Sequence, residues 1–288
     1  MARTAGTVFI SGGGSGIGLQ LSRIALARGA DLAVFDLAIG EEVRDELSAL
    51  AGNTNSRPLG ADAGNASGLK ISLHDGVDVR DLDALSTEVN NAVGAIGPPT
   101  LAINSAGIST NQLFVESTLA DFERTVAVNL FGSRNFAFAL APHMRPGSRL
   151  GLIASLAGLT GGYTYSAYAS SKAGVVGLGR VLRLEWAQDD IGVSVICPPE
   201  IMTPMVEQYN DTMHPATRAL KDVAGTLAID EACEEIMDLL DKGRFMVIPG
   251  RKARRAATMT RYLPDAISTR MADRIVRRAI ARAEGAKT

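Results

Sequence analysis

Val8-Phe9-Ile10-Ser11-Gly12-Gly13-Gly14-Ser15-Gly16-Ile17-Gly18-Leu19 runs from an apolar stretch through a glycine cluster into a helical pattern. Val8–Ser11 reads as a short buried strand, while Leu19, Leu21, Ile24, Ala25 and Leu26 recur at helical spacing. Glycines let the backbone turn tightly and approach a pyrophosphate without Cβ clashes. The helix start then offers unpaired N–H groups and a partial positive charge to the anion. Strand before, helix after and an acid downstream favour a dinucleotide loop over a plain structural turn. No Gly-Lys-Ser/Thr follows, which excludes the Walker type of phosphate loop.

The acid is Asp36, 18 residues beyond Gly18 and directly after the second apolar run, Leu32–Phe35. A carboxylate there can accept both ribose hydroxyls of an adenosine and repel a 2′-phosphate. No Arg or Lys lies in the glycine loop or immediately after Asp36. The expected cofactor is therefore NAD rather than NADP.

Outward from this unit the chain keeps alternating. Glu41–Leu50 reads as a helix, Val77 and its neighbours as a third strand, and Asp81–Ala95 as a helix. Leu101–Ile103 is a fourth strand, Leu119–Leu140 a helix in one or two pieces, and Leu150–Ala154 a fifth strand. Ala167–Asp189, Val193–Ile196, Ile229–Leu240 and Phe245–Ile248 complete the series as helix, strand, helix and seventh strand. Apolar strands separated by helices imply βαβ crossovers and a parallel sheet covered on both faces. The expected fold is α/β, a doubly wound Rossmann fold whose seven-stranded parallel sheet has helices on both faces. Residues 1–250 form its single domain, followed by a basic amphipathic helical extension, 251–288. The polar stretch Ala51–Gly76 reads as a surface insertion.

Tyr168 and Lys172 stand four apart at the start of a helix, in Tyr-Ala-Ser-Ser-Lys, and so share a face. An ammonium beside a phenol favours the phenolate, and acid–base catalysis works best when the catalytic pKa approaches the working pH. Ser155 follows the fifth strand, where strand C-termini open onto the ligand crevice, and its hydroxyl can bond a substrate carbonyl oxygen. A Tyr-x-x-x-Lys pair alone is commonly a solvated face; the combination gives it weight. Tyr163 and Tyr165 lack a lysine four residues on and read as packing or substrate-loop residues. The two cysteines, Cys197 and Cys233, and the three histidines, His74, His143 and His214, form no metal cluster. The histidines read as surface residues, and the cysteines as reduced, buried thiols of a cytoplasmic protein.

Together these residues resemble the short-chain dehydrogenase/reductase family over roughly Thr7 to Pro249. Ser11-Gly12 through Ser15-Gly16-Ile17-Gly18 matches its cofactor loop, with Ser11 for the usual Thr. Asp78-Val79 matches the pair that contacts adenine. Asn104-Ser105-Ala106-Gly107 matches the motif after the fourth strand, with one change at Ser105. Asn129 in Val-Asn-Leu, Ser155, Tyr168 and Lys172 match the catalytic positions, and the 13-residue step from Ser155 to Tyr168 is the usual one. The resemblance implies that Tyr168 exchanges the proton, Ser155 holds the oxygen, Lys172 bonds the nicotinamide ribose and Asn129 supports a proton relay. It places Asp36, Leu37, Pro198, Ile201 and Thr203 with the loop residues around the cofactor. It also implies a homodimer or homotetramer.

One departure narrows the resemblance. The family usually has Pro-Gly after the sixth strand; here Cys197-Pro198-Pro199-Glu200 precedes Thr203-Pro204. That run, with His214-Pro215-Ala216-Thr217-Arg218, is similar to the 3-ketodihydrosphingosine reductases, which implies a hydrophobic substrate such as a long-chain 3-oxo lipid. That subgroup usually takes NADPH, in conflict with Asp36. Steroid or acyl-thioester oxidation and a catalytically silent, cofactor-binding regulator are the competing readings; all four catalytic positions being present argues against silence.

The 288 residues are 46% hydrophobic and 21% charged, ordinary for a globular protein. The start of the chain shows no apolar run of signal-peptide length, and no stretch is long and apolar enough to span a membrane. The net charge of −2 conceals an acidic body and a tail, 251–288, with eleven Lys/Arg and three Asp/Glu. In that tail Met259, Tyr262, Leu263, Ile267, Met271, Ile275, Val276 and Ile280 make an amphipathic pattern that Pro264 interrupts. It reads first as a helix packed on the body or a neighbouring subunit. The sharper alternative is peripheral contact with an anionic membrane surface. An acidic body disfavours nucleic acid.

Overall fold

In the computed structural model, residues 3–52, 68–203, 206 and 213–285 are described. Seven parallel strands form the sheet: β1 (Thr7–Ser11), β2 (Asp31–Phe35), β3 (Ile71–His74), β4 (Leu101–Asn104), β5 (Arg149–Ile153), β6 (Gly192–Ile196) and, after a separate pair, β9 (Met246–Val247). Their order is β3-β2-β1-β4-β5-β6-β9. The separate pair is β7 (Glu200–Ile201) with β8 (Thr226–Leu227), also parallel. The sheet order reverses direction between β1 and β4. In such sheets the ligand crevice opens there, beyond the strand C-termini.

Two apolar layers clothe the sheet. Helices α1 (Gly16–Ala27), α2 (Glu41–Gly52) and α9 (Ile229–Asp241) pack Leu21, Ile24, Leu47, Ile236 and Leu240 against Val8, Ile10, Leu32 and Ile103. On the other face α3 (Leu82–Ile96), α5 (Gly132–Leu140) and α7 (Ser166–Glu185) pack Leu85, Val89, Phe136, Val175 and Val176 against Phe9, Phe35 and Leu152. Inner strands are buried on both sides, which is why they carry no polar alternation. Asp81 caps α3, accepting from the N–H groups of Asp83 and Ala84.

The third strand departs from expectation. It is Ile71–His74, not Val77 and its neighbours, so residues 71–74 are sheet rather than insertion; residues 53–67 lie outside the described residues. The reason is its place at the sheet edge, where Ser72 and His74 interrupt the apolar run. His74 is correspondingly no surface residue. It is buried, stacks on Phe35 at 4.8 Å, and bonds Ser72 at 2.8 Å and Glu88 at 2.6 Å.

The stretch Leu119–Leu140 divides into α4 (Leu119–Val126) and α5, joined by a π-turn at Ala127–Phe131. A short α6 (Ala157–Thr160) precedes α7, and α8 (Pro215–Ala224) precedes β8. The tail folds into α10 (Arg251–Tyr262) and α11 (Asp265–Gly285), with Pro264 between them. Both pack against α8.

Candidate active site

A cleft of about 1110 Å³ opens at the C-terminal ends of the strands. Gly12, Ser15, Gly16 and Ile17 line it from the glycine loop, Asp36 and Leu37 from the end of β2, and Asp78 and Val79 from the segment after β3. Ala106 and Gly107 follow from β4, then Ser155, Tyr168 and Lys172, and finally Pro198, Ile201 and Thr203. Ser11, Gly18, Asn104 and Asn129 do not reach it. Ser11 and Asn104 brace it from behind: Ser11 Oγ donates to Asn104 Oδ1 at 2.5 Å, and Asn104 Nδ2 donates to Ser133 Oγ at 2.9 Å.

The residues of the loop fit a diphosphate. Gly16 adopts φ +51°, and a Cβ there would meet nothing nearer than Thr203 at 3.9 Å, so the glycine leaves a cradle at the start of α1. Ser15 caps that helix without a side-chain capping bond, and the first turn carries no acid. The partial positive charge of the helix start thus faces the cleft unopposed from within its own turn. Asp36 is half-buried and accepts from the Gly14 N–H at 2.8 Å and the Ala38 N–H at 3.3 Å. A carboxylate has about four acceptor sites, so these two bonds leave capacity for ribose hydroxyls. Asp78 is held by Arg80 Nε at 2.9 Å. Arg80 also lines the cleft, a cation that motif reading passed over because nothing in the local pattern singles it out.

The π-turn delivers Asn129. A single π-turn adds a residue to the helix and redirects one side chain, a device frequent at functional sites. Fully buried, Asn129 accepts from the Ile108 N–H at 2.8 Å and donates to Ile108 O and Ser171 Oγ, both at 2.9 Å. Gly107 packs closely beside it: a Cβ there would stand 3.1 Å from Asn129 Oδ1 and 3.3 Å from Lys172 Nζ.

Tyr168 and Lys172 occupy the first turns of α7. Lys172 is buried and donates to Ile153 O at 2.8 Å, with Nζ 5.8 Å from the Tyr168 ring centre. Desolvation lowers its pKa to about 8. Desolvation also raises Tyr168, to about 12, against a hydrogen bond with Ser155 that pulls the other way. At neutral pH the pair is therefore an ammonium and a protonated phenol. Ser155 is buried and in turn accepts from the Ala157 N–H at 3.1 Å. Cys197, buried nearby, is pushed up to about 12, chiefly by desolvation.

A phenol, a hydroxyl and a buried ammonium converge on a cleft whose other end is built for a diphosphate. The sequence profile described as short chain dehydrogenase matches residues 6–214. The chain belongs to the short-chain dehydrogenase family. It is 31% identical over 244 residues to the 3-dehydrosphinganine reductase TSC10A of Arabidopsis thaliana, covering 83% of this chain and 69% of that reductase. It is 29% identical over 245 residues to the trans-4-hydroxycyclohexanecarboxylate dehydrogenase of Sinomonas cyclohexanicum, covering 82% and 86%. A short-chain dehydrogenase from Mycobacterium paratuberculosis bound to NAD shares the fold, with TM-score 0.74 and 22% identity over 88% of this chain and all of that one.

Much of this dehydrogenase's cleft lies beyond the matched residues. Leu220, Val223 and Ala224 of α8, Met259 and Leu263 at the end of α10, and Met271, Ile275 and Val276 of α11 form an apolar wall. The tail spacing was visible in the sequence, but not that it lines the same cleft as Ser155, Tyr168 and Lys172. Tyr163 and Tyr165 also line the cleft, and Tyr165 packs on Tyr168 at 5.4 Å between ring centres.

Proposed function

We propose that this oxidoreductase uses NAD(H) to interconvert a carbonyl and an alcohol on a hydrophobic substrate, with a long-chain 3-oxo lipid as the favoured class. The observation that carries the proposal is one cleft lined both by Ser155, Tyr168 and Lys172 and by the apolar wall of α8, α10 and α11. Similarity to a protein named a 3-dehydrosphinganine reductase supports the lipid class. The carboxylate of Asp36 and the absence of a cation in the glycine loop support NAD.

Bound nicotinamide supplies or accepts the hydride at the reacting carbon. This chain's own residues handle the proton and the oxygen. Ser155 Oγ donates to the substrate oxygen, and Tyr168 gives that oxygen its proton in reduction and takes it back in oxidation. Lys172 stabilises the phenolate left behind, since an opposite charge nearby favours the ionised form. Asn129, with its amide fixed on Ile108 and Ser171, holds the π-turn side of a relay toward Lys172. The exposed apolar side chains Val181 and Leu184 on α7, and Phe131 and Phe138 around α5, support assembly into a dimer or tetramer.

The test is NADH oxidation against a panel of carbonyls of increasing chain length, with parent and Tyr168→Phe compared. Loss of the general acid is expected to reduce turnover about 10²- to 10⁴-fold. Equal turnover by both proteins would refute the mechanism, and a preference for short polar carbonyls would refute the substrate class.

A further inference from the structure

The β7–β8 pair holds a buried carboxylate that this chemistry does not use. Glu200 lies inside Pro198–Thr203, the segment expected against the cofactor, and its side chain is 1% exposed. It accepts from Arg218 Nη1 at 2.7 Å and from Thr226 Oγ1 at 2.9 Å, and Lys221 Nζ donates to its other oxygen. Arg218 and Lys221 stand three apart on α8 and share a face; Thr226 opens β8. One carboxylate therefore ties the cofactor-side segment to the helix that carries Leu220, Val223 and Ala224 into the substrate wall. Burial works against its charge, but the bonds from Lys221 and Arg218 outweigh burial and hold its pKa below the ordinary carboxylate value.

Lys221 carries the connection further. Its Nζ lies 5.5 Å from the ring centre of Tyr165, and Tyr165 packs on Tyr168. Glu200, Lys221, Tyr165 and Tyr168 all line the cleft. A cation over an aromatic face is attracted to it, so fixing the ammonium also restrains the ring.

We propose that Glu200 is a positioning residue that couples the cofactor-side segment to the substrate wall, holding α8 through Arg218 and Lys221 and restraining Tyr165 through Lys221. The inference rests on the reading of the cleft as a carbonyl-reducing site. It goes beyond that reading by assigning substrate affinity, not proton transfer, to a residue outside the catalytic set.

Glu200→Gln in the full-length protein tests it. The variant keeps the shape but removes the negative charge that Arg218 and Lys221 share. KM for a long-chain carbonyl is expected to rise about tenfold, because bonds to a charged acceptor are worth roughly twice those to a neutral one. The expected change in kcat is less than about threefold and in NADH affinity less than about twofold, since the glycine loop and Asp36 are untouched. Lys221→Met is expected to reproduce the KM effect, and the double variant to be no worse than the worse single, as for residues in one network. Amide exchange is expected to quicken across residues 215–224 and not in α7. Unchanged KM with unchanged exchange would overturn the proposal; so would parallel losses of kcat, NADH affinity and thermal stability, which mark a merely structural role. If Glu200→Gln does not fold, Lys221→Met and Arg218→Met carry the same measurements. A parent enzyme that reduces no carbonyl of the panel would sink the functional reading alone, while exchange in α8 still decides the clamp.

Discussion

Asp36→Asn isolates the charge at the end of β2, the adenosine end of the proposed cofactor site. Asparagine keeps a side-chain oxygen for the Gly14 N–H, now bonded at 2.8 Å, so the glycine loop retains its brace. What disappears is the negative charge. Two unit charges about 4 Å apart interact by roughly 1 kcal/mol in water and roughly 4 kcal/mol at an effective dielectric of 20. Asp36 is half-buried at the mouth of the cleft, between those limits. At about 1.4 kcal/mol per tenfold, removing that repulsion shifts the NADPH-to-NADH affinity ratio toward NADPH by about fivefold to several hundredfold. NADH itself weakens about tenfold, because bonds to a charged acceptor are worth roughly twice those to a neutral one. Fluorescence titration of both cofactors on both proteins measures the ratio, and an unchanged melting temperature confirms an intact loop. Tighter NADPH binding by the parent, or a ratio that moves less than about twofold, would refute the reasoning.

Three further outcomes follow from the geometry. Tyr168 is held protonated up to about 12 and Lys172 loses its proton only near about 8, so alcohol oxidation, which needs the phenolate, is expected to accelerate steadily with pH from 6 to 8 while reduction stays level. An oxidation profile already flat across that interval contradicts the assignment. Gly18→Ala places a Cβ 1.9 Å from Gly12 O, backbone that cannot yield, whereas Gly94→Ala meets nothing within 4 Å. The first is expected to cost about 1–3 kcal/mol and abolish NADH binding, the second to stabilise by about 0.5–1 kcal/mol; calorimetry of the two variants decides. Burial pushes the thiols of Cys197 and Cys233 to about 12, so neither is expected to react with a disulfide reagent in the native protein at neutral pH, and both to react after unfolding. Rapid native labelling of either would count against the packing around it.

Where backbone requirements are local, the sequence was readable. Gly12 to Gly18 must turn and accept an anion within one loop, and Tyr168 and Lys172 must share a helix face; both demands act over a few residues. The inner strands were legible because burial on both faces demands an unbroken apolar run. β3 was misplaced for the complementary reason: at the sheet edge a strand tolerates Ser72 and His74, and its apolar signal is weak. Locally Glu200 stands out only as the acid of a Pro-Pro-acidic run. Its meaning depends on Arg218, Lys221 and Thr226, 18 to 26 residues away, and no local periodicity links them.

The tail shows how the same residues change meaning once placed. A basic helix with Met271, Ile275 and Val276 on one stripe meets the requirements for lying in an anionic headgroup layer, where the stripe must face outward. In the folded chain that stripe lines the cleft that holds Ser155, Tyr168 and Lys172, while Arg254 is drawn to Glu235 on α9. The same side chains cannot wall a substrate and enter a bilayer at once. If the tail is a wall, co-sedimentation with anionic vesicles rests on charge alone, is lost at high salt through screening, and does not compete with a long-chain carbonyl. If the tail enters lipid, sedimentation persists at high salt and catalysis with long-chain substrates changes when vesicles are added. Salt-resistant sedimentation would therefore displace Met271, Ile275 and Val276 from the substrate wall and leave the catalytic end of the cleft untouched.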